Sequence, residues 1–95
     1  MLFDLGNIYI TTGVKLNIKK NRITLKDVQN IIKKHSNLKD DNKHIEDRSM
    51  NIEAINTNCG RIFTVHFISN IKLYCITDGL GTTELHTTIL LSEEY

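Results

Sequence analysis

Arg61-Ile62-Phe63-Thr64-Val65-His66-Phe67-Ile68-Ser69-Asn70-Ile71-Lys72-Leu73-Tyr74-Cys75-Ile76-Thr77 sets the architecture of this chain. Two runs of β-branched and aromatic residues flank the polar pair Ser69-Asn70. Such side chains suit a pleated, half-buried surface, so the pattern predicts a β-hairpin with arms over 61–68 and 71–77. Asn58-Cys59-Gly60 is a turn signal in front of it. Behind it, 78–83 contains Gly79 and Gly81 and reads as a loop. Residues 86–91 end in Ile89-Leu90-Leu91 and supply another strand. The last third of the chain is thus expected to be a three-stranded antiparallel segment.

Upstream the hydrophobic period changes. Thr24 is a good N-cap, and Asp27 three residues later completes a capping-box variant, so a helix is predicted over 24–35. Leu25, Val28, Ile31 and Ile32 form its apolar stripe, and Lys33 and Lys34 suit the C-terminal end of the helix dipole. A polar loop follows over 36–44, then a second helix over 46–56 carrying Met50, Ile52, Ala54 and Ile55. Nearer the N-terminus, 5–11 alternate as a strand, with Ile8 and Ile10 on one face and Tyr9 on the other. Thr12-Gly13 should end that strand. Val14 and Ile18 at i, i+4 spacing suggest a short helix over 14–20. Helices ahead of a run of antiparallel strands indicate a single α+β domain, residues 1–95, with the helices packed on one sheet. The expected core is Ile62, Val65, Phe67, Leu73, Cys75, Ile76, Leu90 and Leu91 under the helix stripe. Alternation requires some of these to face opposite sides of the sheet.

Counts exclude several function classes. Ninety-five residues make one small domain, and 40% apolar with 24% charged residues argues against wholesale disorder. Twelve Lys+Arg against eleven Asp+Glu give +1, so whole-chain charge points to neither nucleic acid nor a membrane surface. No apolar run is long enough for a membrane span, and Met1 to Gly6 lack the basic and apolar regions of a secretory signal. A cytoplasmic location is expected, with Cys59 and Cys75 reduced. The two cysteines and four histidines are dispersed without metal-ligand spacing. Gly79-Leu80-Gly81 lacks the third glycine and following helix of a dinucleotide site. No metal and no cofactor are therefore expected.

Three groups of residues could carry function. Lys15, Lys19, Lys20, Arg22, Lys26, Lys33 and Lys34 stand against one acid, Asp27, over 15–34. That basic segment could contact RNA phosphates by releasing counterions, or be a solvated helix face. No exposed aromatics are expected among these residues to stack on bases. Asp40, Asp41, Glu46 and Asp47 form one acidic cluster. Asp78, Glu84, Glu93 and Glu94 form another beside the terminal carboxylate. Acidic patches can imitate phosphate and fill a basic channel on a protein partner. The third group is His35, Arg61, His66 and Thr88. Helices followed by an antiparallel sheet are shared with RelE-like and barnase-like ribonucleases, which cleave RNA without metal. There, one histidine would act as base or acid and Arg61 would stabilise the phosphorane.

Ile76-Thr77-Asp78, Thr87-Thr88-Ile89-Leu90-Leu91 and the closing Glu93-Glu94-Tyr95 resemble a small plasmid- and prophage-borne family known as "plasmid-related protein". Leu5-Gly6, Thr12-Gly13, His35, Asp47, Asn51, Ala54 and Gly60-Arg61 extend the resemblance over nearly the whole chain. Where the family carries Trp-Gly after the histidine, this chain has Asp40 and Asp41. Glu84 stands in place of an arginine, and Ser92 in place of a proline. The resemblance implies a mobile-element protein that interferes with a host defence effector, of CRISPR or restriction type, by protein–protein docking. A metal-independent ribonuclease or toxin-like protein is the alternative, and a plasmid accessory protein a third.

Overall fold

The expected hairpin forms one side of the sheet. A computed structural model describes residues 1–95, in the order β1 (Asn7–Ile10), α1 (Thr12–Lys19), α2 (Leu25–Ser36), α3 (Ile45–Thr57), β2 (Gly60–Ile68), β3 (Ile71–Leu80), β4 (His86–Leu91) and a closing 3₁₀ turn (Ser92–Glu94). β2, β3 and β4 pair antiparallel, with Ile68 opposite Ile71 across the Ser69-Asn70 turn and Leu73 opposite Leu91. The strand order is β1-β4-β3-β2. The N-terminal strand therefore extends the antiparallel segment by running parallel to β4, Ile8 beside Thr87 and Ile10 beside Ile89. The class is α+β, and the sheet is four-stranded and mixed.

Local chemistry explains most boundaries. Thr24 accepts from the Asp27 N–H at 3.0 Å while Asp27 accepts from the Thr24 N–H at 2.9 Å, the reciprocal box that starts α2. Thr12-Gly13, expected to end the strand, instead open α1. Thr11 is the N-cap, and the Glu94 carboxylate accepts from the Gly13 N–H at 3.1 Å. A Cβ at position 13 would lie 2.6 Å from that carboxylate, so glycine permits the approach. β3 runs three residues past its expected end. The register slips between Gly60 and Ile62, inserting an extra residue on β3 beside Gly79, whose φ of +76° favours glycine.

Alternation gives the sheet two unlike faces. On one, Ile62, Thr64, His66, Leu73, Cys75, Thr77, Thr87, Ile89 and Leu91 are all buried. Val14, Ile23, Val28 and Ile31 from the helical layer pack on Leu73, Cys75, Ile89 and Leu91. The other face carries Phe63, Val65, Phe67, Lys72, Tyr74, Ile76, Thr88 and Leu90. Two expected core residues are corrected. Leu25 is 65% exposed, because α2 buries a stripe centred on Val28, Ile31 and His35, and Leu25 lies about 90° around the helix from it. Phe67 is 49% exposed: it lies near the hairpin end of β2 opposite the exposed Lys72, whereas Val65, Ile76 and Leu90 on the same face are buried.

The outer edge of β2 is capped. Asn51 of α3 accepts from the Phe63 N–H at 2.9 Å and donates to the Phe63 carbonyl at 2.8 Å. The Asp40 carboxylate accepts from the Val65 N–H at 2.8 Å, and the Asp41 N–H donates to the Val65 carbonyl at 2.8 Å. Side chain and loop thus stand in for a neighbouring strand, which protects an edge from foreign pairing. Replacing the buried Asn51 by alanine should cost about 1–3 kcal/mol, since both Phe63 backbone groups lose their partner. Urea denaturation reads this directly. A change below about 0.5 kcal/mol would show that water replaces the cap without penalty.

Candidate functional site

The sheet–helix interior holds a continuous polar chain, not only hydrocarbon. His35 of α2 reaches Thr64 through Nδ1 at 2.6 Å and Thr77 through Nε2 at 2.7 Å. Thr64 also meets His66 Nε2 at 2.8 Å, and Thr77 meets Thr87 at 2.6 Å. Thr87 Oγ1 donates to the Leu5 carbonyl at 2.7 Å. With His35 neutral, as burial makes it, that last bond fixes every proton before it. The Thr87 hydrogen is committed to a carbonyl, so Thr77 donates to Thr87. His35 Nε2–H then donates to Thr77, leaving Nδ1 as the acceptor from Thr64. His66 Nε2–H therefore donates to Thr64. Each hydroxyl gives one hydrogen bond and receives one, and both rings are neutral Nε2–H tautomers.

Electrostatics agrees with this assignment. Burial, reinforced by repulsion from His66, lowers the pKa of His35 to about 3. Burial lowers His66 to about 4, with Lys34 acting in the same direction and Asp41 opposing. His66 Nδ1 is the one buried side-chain polar atom without a hydrogen-bond partner. Burial also pushes the Cys75 thiol pKa up, so it stays protonated, whereas Cys59 is an exposed free cysteine.

The ribonuclease quartet is not brought together. His35 and His66 are enclosed between helix and sheet, and their ring nitrogens serve or face the interior. Arg61 and Thr88 lie on the opposite face. Arg61 pairs with Asp78 at 3.1 Å and donates to the Tyr95 hydroxyl at 2.9 Å. A substrate phosphate touching Arg61 would have the whole sheet between it and either histidine.

The acidic clusters divide into working and free members. Asp40 caps β2, and burial raises its pKa despite the backbone hydrogen bonds that oppose the shift. Asp47 accepts from Asn42 at 2.8 Å. Glu94 accepts from Thr11 at 2.7 Å, Leu91 N–H at 2.9 Å and Gly13 N–H. Partial desolvation opposes its ionisation, but those three donors hold its pKa below the ordinary value. These three carboxylates are structural. Asp41, Glu46, Glu84 and Glu93 remain exposed. Lys15, Lys19, Lys20, Arg22, Lys26, Lys33 and Lys34 are all exposed as well, on the helical layer.

The feature missed in the sequence is the helix-free face. Phe63, Tyr74 and Tyr95 pack as a trio, centroids 4.7 Å apart for Phe63–Tyr74 and 5.5 Å for Tyr74–Tyr95. Lys72 Nζ lies 5.7 Å from the Tyr74 ring centroid. Phe67 shares this face of β2, opposite Lys72, and Tyr95 is 67% exposed. The alternation of Phe63, Val65 and Phe67 against Thr64 and His66 carried the signal. On this face Val65, Ile76 and Leu90 are buried as expected, while Phe63 is half-buried and Phe67 is exposed. The widest surface groove, about 810 Å³, lies at the hairpin end of the sheet. It mixes Arg22 and Lys72 with Glu93 and three asparagines, a lining without a single charge preference. No cluster of three or more His, Cys, Asp or Glu converges on a metal geometry. No helix is long and apolar enough to cross a membrane. No family model, curated protein or solved structure matches the chain.

Proposed function

We propose that the protein is a non-catalytic binding module whose helix-free sheet face docks on a host defence effector of CRISPR or restriction type. The carrying observation is the aromatic face itself: Phe63, Phe67, Tyr74 and Tyr95 with Arg61, at the open side of the sheet. Tyr, Phe and Arg are the residue types that concentrate binding energy at protein interfaces. The exposed carboxylates Glu84 and Glu93 would add complementarity to a basic partner surface. The lysines of α1 and α2 lie on the other side of the sheet. The aromatic face keeps only Arg61, already paired with Asp78, and Lys72 as cations, few for tracking a phosphate backbone, which favours a protein over single-stranded RNA as the ligand. The mobile-element resemblance supplies the biological class of that partner.

The test is plating of unmodified phage on hosts that carry a restriction or CRISPR system. Expression of the protein should raise plating efficiency tenfold or more. The double variant Phe67→Ser, Glu93→Lys should abolish the effect while melting like the parent, because both side chains are exposed. Protection that survives this variant would place the docking site elsewhere. RNA cleavage by the purified protein would restore the ribonuclease reading.

A further inference from the structure

The two edges of the sheet are treated differently. β2 is capped at Phe63 and Val65, as described above. β1 is bare. The Thr11 N–H donates to the Ile89 carbonyl at 3.2 Å, which sets the phase of the parallel ladder. Residues 7, 9 and 11 turn their peptide groups toward β4, so Ile8 and Ile10 turn theirs outward. No side chain or loop bonds these groups. Ile8 and Tyr9 are 43% and 54% exposed.

We infer that β1 pairs antiparallel with β1 of a second copy, joining two sheets into one of eight strands about a two-fold axis at Tyr9. The geometry is self-complementary. Ile8 of each copy falls opposite Ile10 of the other and exchanges both backbone bonds, giving four N–H···O bonds. Tyr9 meets Tyr9 of the second copy in the closer, non-hydrogen-bonded pair. Ile8 and Ile10 from both copies meet on the helix-covered side. Residues 5–14 carry no charged side chain, so a second copy meets no like charge, and the strand offers no charge that would select a foreign peptide. An isologous pair of this kind closes on itself and leaves no free β1 edge to propagate.

The test is the mass of the full chain by light scattering across a concentration series, with a charge swap at the axis. The parent should move toward twice 10.9 kDa as concentration rises. Tyr9→Lys should be monomeric because two lysines would face each other. Tyr9→Glu should be monomeric for the same reason. An equimolar mixture of the two should recover the dimer, and salt should weaken it. Ile8→Pro removes only the outward N–H, so it should also yield a folded monomer. The proposal is overturned by a parent that stays monomeric throughout, by a dimer that persists in Tyr9→Lys, or by a mixture that fails to reassociate.

Discussion

Replacing His35 by alanine should cost about 4 kcal/mol of folding free energy, a large share of the roughly 5–15 kcal/mol that a domain of this size possesses. The ring is fully buried and is the middle of the hydrogen-bond chain. Its removal leaves the Thr64 hydroxyl only the Cys75 carbonyl, 3.4 Å away, as acceptor, and Thr77 without its donor. Each buried orphan costs about 1–3 kcal/mol, and the cavity left by the imidazole adds to that. Neither hydroxyl can reach water from beneath α2. His44 is the matched control: it is exposed and makes no side-chain cap bond to α3, so its alanine variant should stay within about 0.5 kcal/mol of the parent. Urea denaturation at neutral pH measures both. A His35→Ala loss below about 1 kcal/mol would mean the interior relaxes around the gap and the relay holds little together.

The hairpin, the capping box of α2 and the α+β class were legible because each rests on local chemistry. Val28 and Ile31 face the sheet as their spacing requires. What could not be read was which strand neighbours β1, because a parallel crossover pair leaves no turn signature between its members. Leu25 and Phe67 failed for a related reason. Periodicity reports which residues share a face, but not whether another layer covers that face.

The histidines show a different limit. His35 and His66 have the residue type of general acids and bases, and only burial distinguishes a catalytic ring from a structural one. Many of the residues compared with the plasmid-related family have structural roles here. Thr77, Thr87 and His35 form the relay. Gly13 and Glu94 join the chain end to α1. Asn51 caps β2, and Arg61, Asp78 and Tyr95 bind one another. Of the surface that would meet a partner, Arg61, Asp78, Glu93 and Tyr95 lie within the compared pattern, and Phe63, Phe67 and Tyr74 lie outside it.

Acid should unfold the protein well before the carboxylates as a class are protonated. Folding depresses both buried histidines, His35 to about 3 and His66 to about 4, against an ordinary value of 6.5. Below pH 6.5 the unfolded chain takes up two protons that the native chain refuses. Stability therefore falls as pH drops through the window from 6.5 down to those folded values. At about 1.4 kcal/mol per pH unit for each group, the slope near pH 5 is about 2.7 kcal/mol per unit. Completed, the loss is on the order of 8 kcal/mol, comparable to the whole stability of such a domain. Asp40 works against this trend, since its raised pKa favours proton uptake in the native state, while Glu94 works with it. The relay explains why protonation is refused. A charged His35 would need two acceptors, and Thr64 would have to turn its hydrogen to the Cys75 carbonyl, 3.4 Å away. Melting temperature should be flat from pH 8 to 7 and then fall steeply toward pH 4.5. In His66→Gln the slope below pH 6 should drop by about one proton, or about 1.4 kcal/mol per unit. A parent whose stability is unchanged between pH 7 and 5 would mean that the histidines are accessible to protons in the native state, and the closed relay would have to be abandoned.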